Sequence, residues 1–227
     1  MSLIRLVVFD VDGTLVRVKS SWGYLHRYFG VEREAQKYMR MFEEGEISYI
    51  DWMRLDTELW IKARGGRVHR SEIIDALSKV EIDPDAPRLF RELRRRRVFI
   101  ALVSSGIDLL VRRIATELGA DAWVANRLLF DREGFLVPGG SPLVGVDKAP
   151  AVKRIAAELG VPLDATAYVG DSHWDASAMR AVAYPIAVGD DPRLNGVAKI
   201  RVERLGQVLE VLKPVLPKPI DGKPWLG

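Results

Sequence analysis

Five apolar runs rich in β-branched residues punctuate the chain: Ile4 to Asp10, Val98 to Ser104, Ala165 to Gly170, Tyr184 to Val188 and Lys199 to Val202. Each is short and hydrophobic at consecutive positions, the pattern of a parallel strand buried on both faces. Helical periodicity lies between them. Ile107 to Leu118 stops at Gly119, and Ala149 to Leu159 stops at Gly160, with Pro150 in the tolerated first turn. Strands alternating with helices predict an α/β fold with a doubly wound, Rossmann-like parallel sheet.

One connection breaks the rhythm. After Leu15 the next strand-like run is Val98, and the intervening chain carries apolar residues at helical spacing. They fall in three groups: Trp22, Leu25, His26 and Phe29; Tyr38, Met39, Met41 and Phe42; then Trp52, Met53, Leu55, Leu59 and Trp60. This predicts a small helical cap domain over 17–85 with its own core, inserted after the first strand of a core domain formed by 1–16 and 86–212. Such an insert could close over a site as a lid. Arg127 to Val137, with a turn at Asp131-Arg132-Glu133-Gly134, reads as a hairpin. The Pro-rich tail, 213–227, lacks periodicity and is expected to be extended.

Composition narrows the class. Hydrophobic residues make up 48% of the 227 and charged residues 29%, as in a soluble globular protein. A net charge of +3 gives no footprint for nucleic acid. The one basic run, Arg94 to Arg97, closes an amphipathic segment, where cations complement a helix C-terminus. There is no cysteine, hence no disulfide or thiolate metal site. With neither a leader-like segment nor a spanning apolar stretch, a cytoplasmic protein without membrane contact is expected. Oligomeric state is left open.

The candidate chemistry begins where the first strand ends. Asp10 and Asp12 are spaced i, i+2, so in extended chain both carboxylates face one side. One could attack or hold a metal while the other moves a proton. Gly13 lets backbone N–H groups approach an anion closely, which points to phosphate chemistry. A calcium loop is disfavoured, because the twelfth residue from Asp10 is Ser21 rather than a glutamate.

Residues just beyond the other strands extend the set, since doubly wound sheets bind ligands at the strands' carboxyl ends. Ser104-Ser105-Gly106 leads into a helix and could cradle a phosphate. Lys148 precedes a helix start and could hold a phosphate as a point charge. Gly170-Asp171-Ser172-His173-Trp174-Asp175 carries two acids at i, i+4.

In order, these four segments resemble the four motifs of the haloacid dehalogenase superfamily. The insert after the first motif, the Glu44-Gly45-Glu46-Ile47-Ser48 turn and the string Ala125-Asn126-Arg127-Leu128 are similar to its phosphoserine phosphatase-like branch. The resemblance implies a phosphatase in which Asp10 is the nucleophile and Asp12 the general acid and base. It also implies Mg²⁺ held by Asp10, the Asp12 carbonyl and Asp171. Ser104, the Ser105 amide and Lys148 would bind the phosphoryl oxygens, with Asp175 orienting Lys148 or the metal shell.

The cap departs from that branch. Its ammonium-binding glutamate, nine residues after the nucleophile, is replaced by Lys19. Its carboxylate-binding arginine, seven residues beyond the aromatic that aligns with Tyr49, is replaced by Asp56, with Arg54 one turn away. Trp174 stands where an asparagine is usual, and His173 reads as a solvated loop residue. The expected substrate is therefore a small phosphorylated metabolite other than phosphoserine, with Lys19 favouring an extra anion. The alternatives are transfer of the phosphoryl group to an alcohol, or phosphoserine hydrolysis itself.

Overall fold

A computed structural model describes residues 3–219. The strands are β1 (Leu6–Phe9), β2 (Phe99–Ile107), β3 (Ala122–Phe130), β4 (Leu136–Ser141), β5 (Thr166–Gly170), β6 (Tyr184–Val188) and β7 (Ile200–Val202). They form one sheet in the order β4-β3-β2-β1-β5-β6-β7, parallel except for the β3–β4 hairpin. The predicted doubly wound α/β core is present, with β1 at its centre. Alternation along β1 sends Leu6 and Val8 to one face and Val7 and Phe9 to the other, all fully buried. Burial on both faces is why the run is hydrophobic at every position.

The helices are α1 (Ser21–Phe29), α2 (Glu32–Glu43), α3 (Tyr49–Ala63), α4 (Arg70–Ser78), α5 (Ala86–Arg94), α6 (Asp108–Leu118), α7 (Ala149–Glu158), α8 (Ala176–Ala181) and α9 (Val208–Leu212). No described helix is long and apolar enough to cross a membrane. Helices α7 and α8 cover the Leu6 face, whereas α5, α6 and α9 cover the Val7 face. Arg94 closes α5 and donates from Nη2 to the carbonyls of Leu118 and Gly119, a structural use of the basic run.

Four expectations change, three of them in the core and the insert. β3 is a strand of the parallel sheet as well as a hairpin arm: Ala122–Ala125 pair with Ala101–Ser104, then Arg127–Phe130 turn to pair with β4. Its first half is short and mixed, which hid it in the periodicity. The segment Ser104-Ser105-Gly106 belongs to β2 as a register-shifted stretch rather than a helix start, and α6 begins at Asp108. Finally, the helical insert has no separate core. Leu25, Phe29, Trp60, Ile73 and Leu77 pack in one continuous cluster with Phe9, Val11 and Leu15.

The insert is also pinned to the hairpin. Gly139 N–H donates to Thr57 Oγ1 at 2.8 Å, and Leu136 N–H to the Val68 carbonyl at 2.8 Å. A Cβ at Gly140 would lie 2.8 Å from the backbone carbonyl oxygen of Arg127, so the hairpin keeps glycine there, and Met53 of α3 packs against the space it leaves. Helices α1 and α3 consequently sit over the carboxyl ends of β1, β2 and β5. The start of the tail is docked rather than extended. Leu216 is buried, and Ile4 N–H donates to the Val215 carbonyl at 2.8 Å. The remainder of that prediction, from residue 220, lies outside the described residues.

Candidate active site

A cavity of about 400 Å³ opens between the strand ends and the insert. Asp10, Asp12, Ser104, Ser105, Gly106 and Lys148 line its floor, and Trp22, Met39, Tyr49, Trp52, Met53 and Asp56 line its roof. The volume suits a small organic ligand.

Asp10 is buried at the end of β1. Its Oδ1 accepts from Lys148 Nζ at 2.6 Å, and the same ammonium donates to Asp175 Oδ1 at 2.7 Å. Burial pushes the Asp10 carboxyl well above its ordinary value, with Asp175 and Asp171 adding to the rise and Lys148 opposing it. Burial alone would lower the Lys148 ammonium, but its two carboxylate neighbours outweigh that and hold it raised. Asp175 is fully occupied. Tyr168 OH donates to Oδ1 at 2.7 Å, and the Asp171 and Ser172 amides donate to Oδ2 at 3.0 and 3.1 Å. Its geometry is that of a group fixing Lys148.

Asp12 has a different environment. Oδ2 accepts both the N–H (2.6 Å) and the hydroxyl (2.7 Å) of Ser21, at the start of α1. Oδ1 is buried and has no partner among the described residues. Burial raises the Asp12 pKa, against the Ser21 bonds that lower it. A carboxyl held by one oxygen, free at the other and raised in pKa is suited to carry a proton at Oδ1. Ser21 Oγ also accepts from Ile107 N–H at 3.1 Å, so one hydroxyl links the insert, Asp12 and β2. Gly106 has to be glycine: a Cβ there would lie 2.6 Å from both Asp12 Oδ2 and Ser21 Oγ.

The second carboxylate group lies beside Gly13. Gly13 has φ +83°, and a Cβ there would approach Asp171 Oδ2 to 2.4 Å, so the turn demands glycine twice over. Thr14 Oγ1 donates to Asp171 Oδ1 at 3.3 Å and Lys19 Nζ to Oδ2 at 2.7 Å. Burial raises Asp171, opposed by Lys19.

Oxygens of Asp10, Asp171 and Asp175 lie within 4.8 Å of one another. Among the described residues the four acids Asp10, Asp12, Asp171 and Asp175 are met by two ammonium groups, Lys148 and Lys19, leaving negative charge in a buried place. That excess and an all-oxygen donor set fit a hard divalent cation. Asp10, Asp171 and Asp175 each offer an oxygen to such a site, and Asp175 already accepts from Lys148, Tyr168 and two backbone amides.

Several site residues sit differently from expectation. Lys19 lines the cavity, but its ammonium reaches down to the acidic cluster from a largely exposed side chain. Arg54 points to the surface, paired with Glu58 at 2.8 Å and Asp51 at 3.8 Å, and gives no cation to the cavity. The Ser105 hydroxyl donates to the Gly145 carbonyl at 3.0 Å. The Tyr49 hydroxyl, raised to about 12 by burial, accepts from Asn126 Nδ2 at 2.9 Å. His173 is half-buried, its N–H donating to Asp191 Oδ2 at 3.1 Å. Unforeseen contributors are Ser21, Asn126 and His26. Asn126 is fully buried, donates to the Ser105 carbonyl and accepts from Val144 N–H, joining floor to roof. Its buried position inside an apolar strand was the available signal.

The chain belongs to the haloacid dehalogenase-like hydrolase family, whose model matches residues 4–183. Within that family it sits with the phosphatases. It is 29% identical over 213 residues to a phosphoserine phosphatase of Methanocaldococcus jannaschii, covering 92% of this chain and 98% of that protein. It is 31% identical over 205 residues to phosphoserine phosphatase SerB2 of Mycobacterium tuberculosis, covering 86% of this chain and 46% of that protein. A solved structure of a phosphoserine phosphatase with a phospho-aspartyl intermediate analogue superposes with a TM-score of 0.76 at 27% identity. It covers 94% of this chain and all (100%) of that one. A substrate-bound phosphoserine phosphatase superposes with a TM-score of 0.77 at 26% identity, covering 95% of this chain and 100% of that one.

Proposed function

We propose that the protein is a Mg²⁺-dependent phosphomonoester hydrolase acting on a small phosphorylated metabolite through an aspartyl phosphate on Asp10. The observation that carries this reading is the pair of unlike carboxyls in one cavity: Asp10 against Lys148, and Asp12 held by Ser21 with Oδ1 free.

Asp10, the Asp12 backbone carbonyl and Asp171 would hold the cation, with Asp175 behind them. The cation supplies charge neutralisation, without which a carboxylate meets a phosphate dianion with strong repulsion. Asp10 attacks phosphorus in line, while Lys148, Ser104 and the Ser105 amide hold the phosphoryl oxygens and Gly13 allows close backbone approach. Asp12 Oδ1 gives its proton to the departing alkoxide, then takes one from the water that cleaves the acyl phosphate. Ser21 keeps Asp12 aimed throughout. Positioning and electrostatics supply most of the acceleration that such a slow reaction needs. Residues 1–16 and 86–212 act as the catalytic domain, 17–85 as the cap that sets specificity through Lys19, Tyr49 and Asp56, and 213–227 as a tail.

The substrate is taken to be something other than phosphoserine. The roof presents Asp56 where a carboxylate would need a cation, and Arg54 is turned away. The second reading, phosphoserine hydrolysis, is favoured by the relatives. Steady-state rates with Mg²⁺ across phosphoserine, sugar phosphates, phosphoglycolate and nucleotides test both. Phosphoserine leading by orders of magnitude would refute the first reading; no turnover of any ester would refute the hydrolase mechanism.

A further inference from the structure

The roof contains a buried polar chain that the chemistry above does not use. Trp60 Nε1–H donates to His26 Nδ1 at 3.0 Å. That bond leaves the ring proton of neutral His26 on Nε2, which lies 3.3 Å from Asp56 Oδ2. Protonating His26 on both nitrogens would break the bond to Trp60, so the imidazole serves Asp56 as a neutral donor. Asp56 is 2% exposed and lines the cavity, yet its Oδ1 has no partner among the described residues.

An ionised carboxylate buried beside a neutral imidazole lacks a counter-charge, and a buried charge without one is costly. The cavity it lines has aromatic and thioether walls, Trp22, Trp52, Met39 and Met53, with Arg27, Glu32 and Gln36 as polar lining. Trp22 and Trp60 stack at 5.4 Å between ring centroids. Faces of this kind attract alkylammonium groups. Trp52 Nε1 is a second buried group without a partner, a donor that would be repelled by the head of an ammonium but can meet a leaving-group oxygen. Of the cations lining the cavity, Lys19 is engaged by Asp171 and Arg27 is solvent-exposed, while Arg54 pairs with Glu58 outside it. Among the described residues a carboxylate-bearing ligand therefore meets no buried cation in this roof.

The geometry points to a leaving group that carries an ammonium and no carboxylate: the substrate is the phosphate monoester of an amino alcohol, its cationic head seated on Asp56 Oδ1. This deepens the proposed hydrolase reading and rests on it for the phosphate end alone. It also replaces the expectation that an extra anion is favoured through Lys19.

The test compares phosphoethanolamine and phosphocholine with uncharged analogues of similar shape, propyl phosphate and 3,3-dimethylbutyl phosphate, and with phosphoglycolate and phosphoserine. Wild-type protein and Asp56→Asn are assayed with Mg²⁺, using p-nitrophenyl phosphate as a reference ester. Expected is a preference of about tenfold or more in kcat/KM for at least one ammonium ester over its uncharged analogue. Asp56→Asn should bring that preference to within about threefold, read as the ratio of ammonium ester to uncharged analogue within the same variant. Binding is read separately by tryptophan fluorescence, without turnover. Ammonium-ester binding lost in Asp56→Asn, with no hydrolysis of any ester, would sustain the subsite and overturn the hydrolase reading. Hydrolysis of all esters without an ammonium preference, or a preference unchanged in Asp56→Asn, would overturn the subsite.

Discussion

Replacing Ser21 by alanine removes one hydroxyl that does two things: it donates to Asp12 Oδ2 at 2.7 Å and accepts from the buried Ile107 N–H at 3.1 Å. The backbone N–H of residue 21 still reaches Asp12 at 2.6 Å, so the carboxyl keeps one anchor of two. A hydrogen bond to a charged acceptor contributes about 1.5–3 kcal/mol, and a stranded buried N–H costs about 1–3 kcal/mol. Ser21→Ala should therefore lose about 2–3 kcal/mol of stability, visible in urea unfolding, while leaving a folded protein. The catalytic effect is separable. Ser21 bonds pull the Asp12 pKa down against burial, so losing one sends it further up. With a phosphomonoester and saturating Mg²⁺, kcat should fall about tenfold to a hundredfold, equivalent to ~1.4–2.7 kcal/mol of transition-state stabilisation. The limbs of the pH–rate profile that report Asp12 should both move to higher pH. A destabilised variant with kcat and kcat/KM within about twofold of wild type and unmoved limbs would refute the positioning role, leaving Ser21 a helix-start residue only.

Other outcomes are equally specific. Gly13→Ala places a side chain at φ +83° and within 2.4 Å of Asp171 Oδ2; it should cost about 1–2 kcal/mol from the backbone alone. By displacing Asp171, it should also weaken Mg²⁺ binding measured by calorimetry. Mg²⁺ should raise the wild-type melting temperature by mass action, worth about 2.7 kcal/mol at a hundredfold excess over Kd, and Asp171→Asn should lose that response. Lys19→Ala frees Asp171 Oδ2 and should tighten Mg²⁺ several-fold; weaker binding would contradict the competition between ammonium and cation. Asp56 is raised by burial from its ordinary 3.8, with His26 opposing, so its contribution to stability is full below that value and lost as pH rises through the raised one. In the absence of ligand, Asp56→Asn should gain stability relative to wild type between pH 4 and 7; a constant difference would place no burial penalty on Asp56.

The floor of the site was legible because strand ends are readable. An apolar run ending in Asp10-Val11-Asp12-Gly13, and another ending in Gly170-Asp171, locate two acids in three dimensions once the sheet is doubly wound. Lys148 was legible only through its resemblance, since nothing local in Asp147-Lys148-Ala149 distinguishes a buried lysine from a solvated one. The roof was not legible. Lys19 and Asp56 were singled out as charges at family positions, yet their partners depend on how α1 and α3 pack. Packing turned Lys19 toward Asp171, joined Asp56 to His26 and sent Arg54 to the surface. Trp22, His26, Phe29 and Trp60 followed a helical apolar pattern that a core would also produce. Part of that pattern is core, shared with β1, and part is cavity wall. β3 was hidden for a related reason, because one strand satisfies a parallel neighbour and a hairpin partner in succession.

The nucleophile is the central claim, and acid-quenched single turnovers address it most directly. Protein is mixed with a phosphoryl-labelled ester and Mg²⁺, quenched in the pre-steady state, digested and mapped. Label should appear transiently on the peptide that begins in β1, on the side chain of Asp10, and should be absent in Asp10→Asn, which should not turn over. Label on Ser104, His173 or any other residue, or wild-type turnover by Asp10→Asn, would contradict the account.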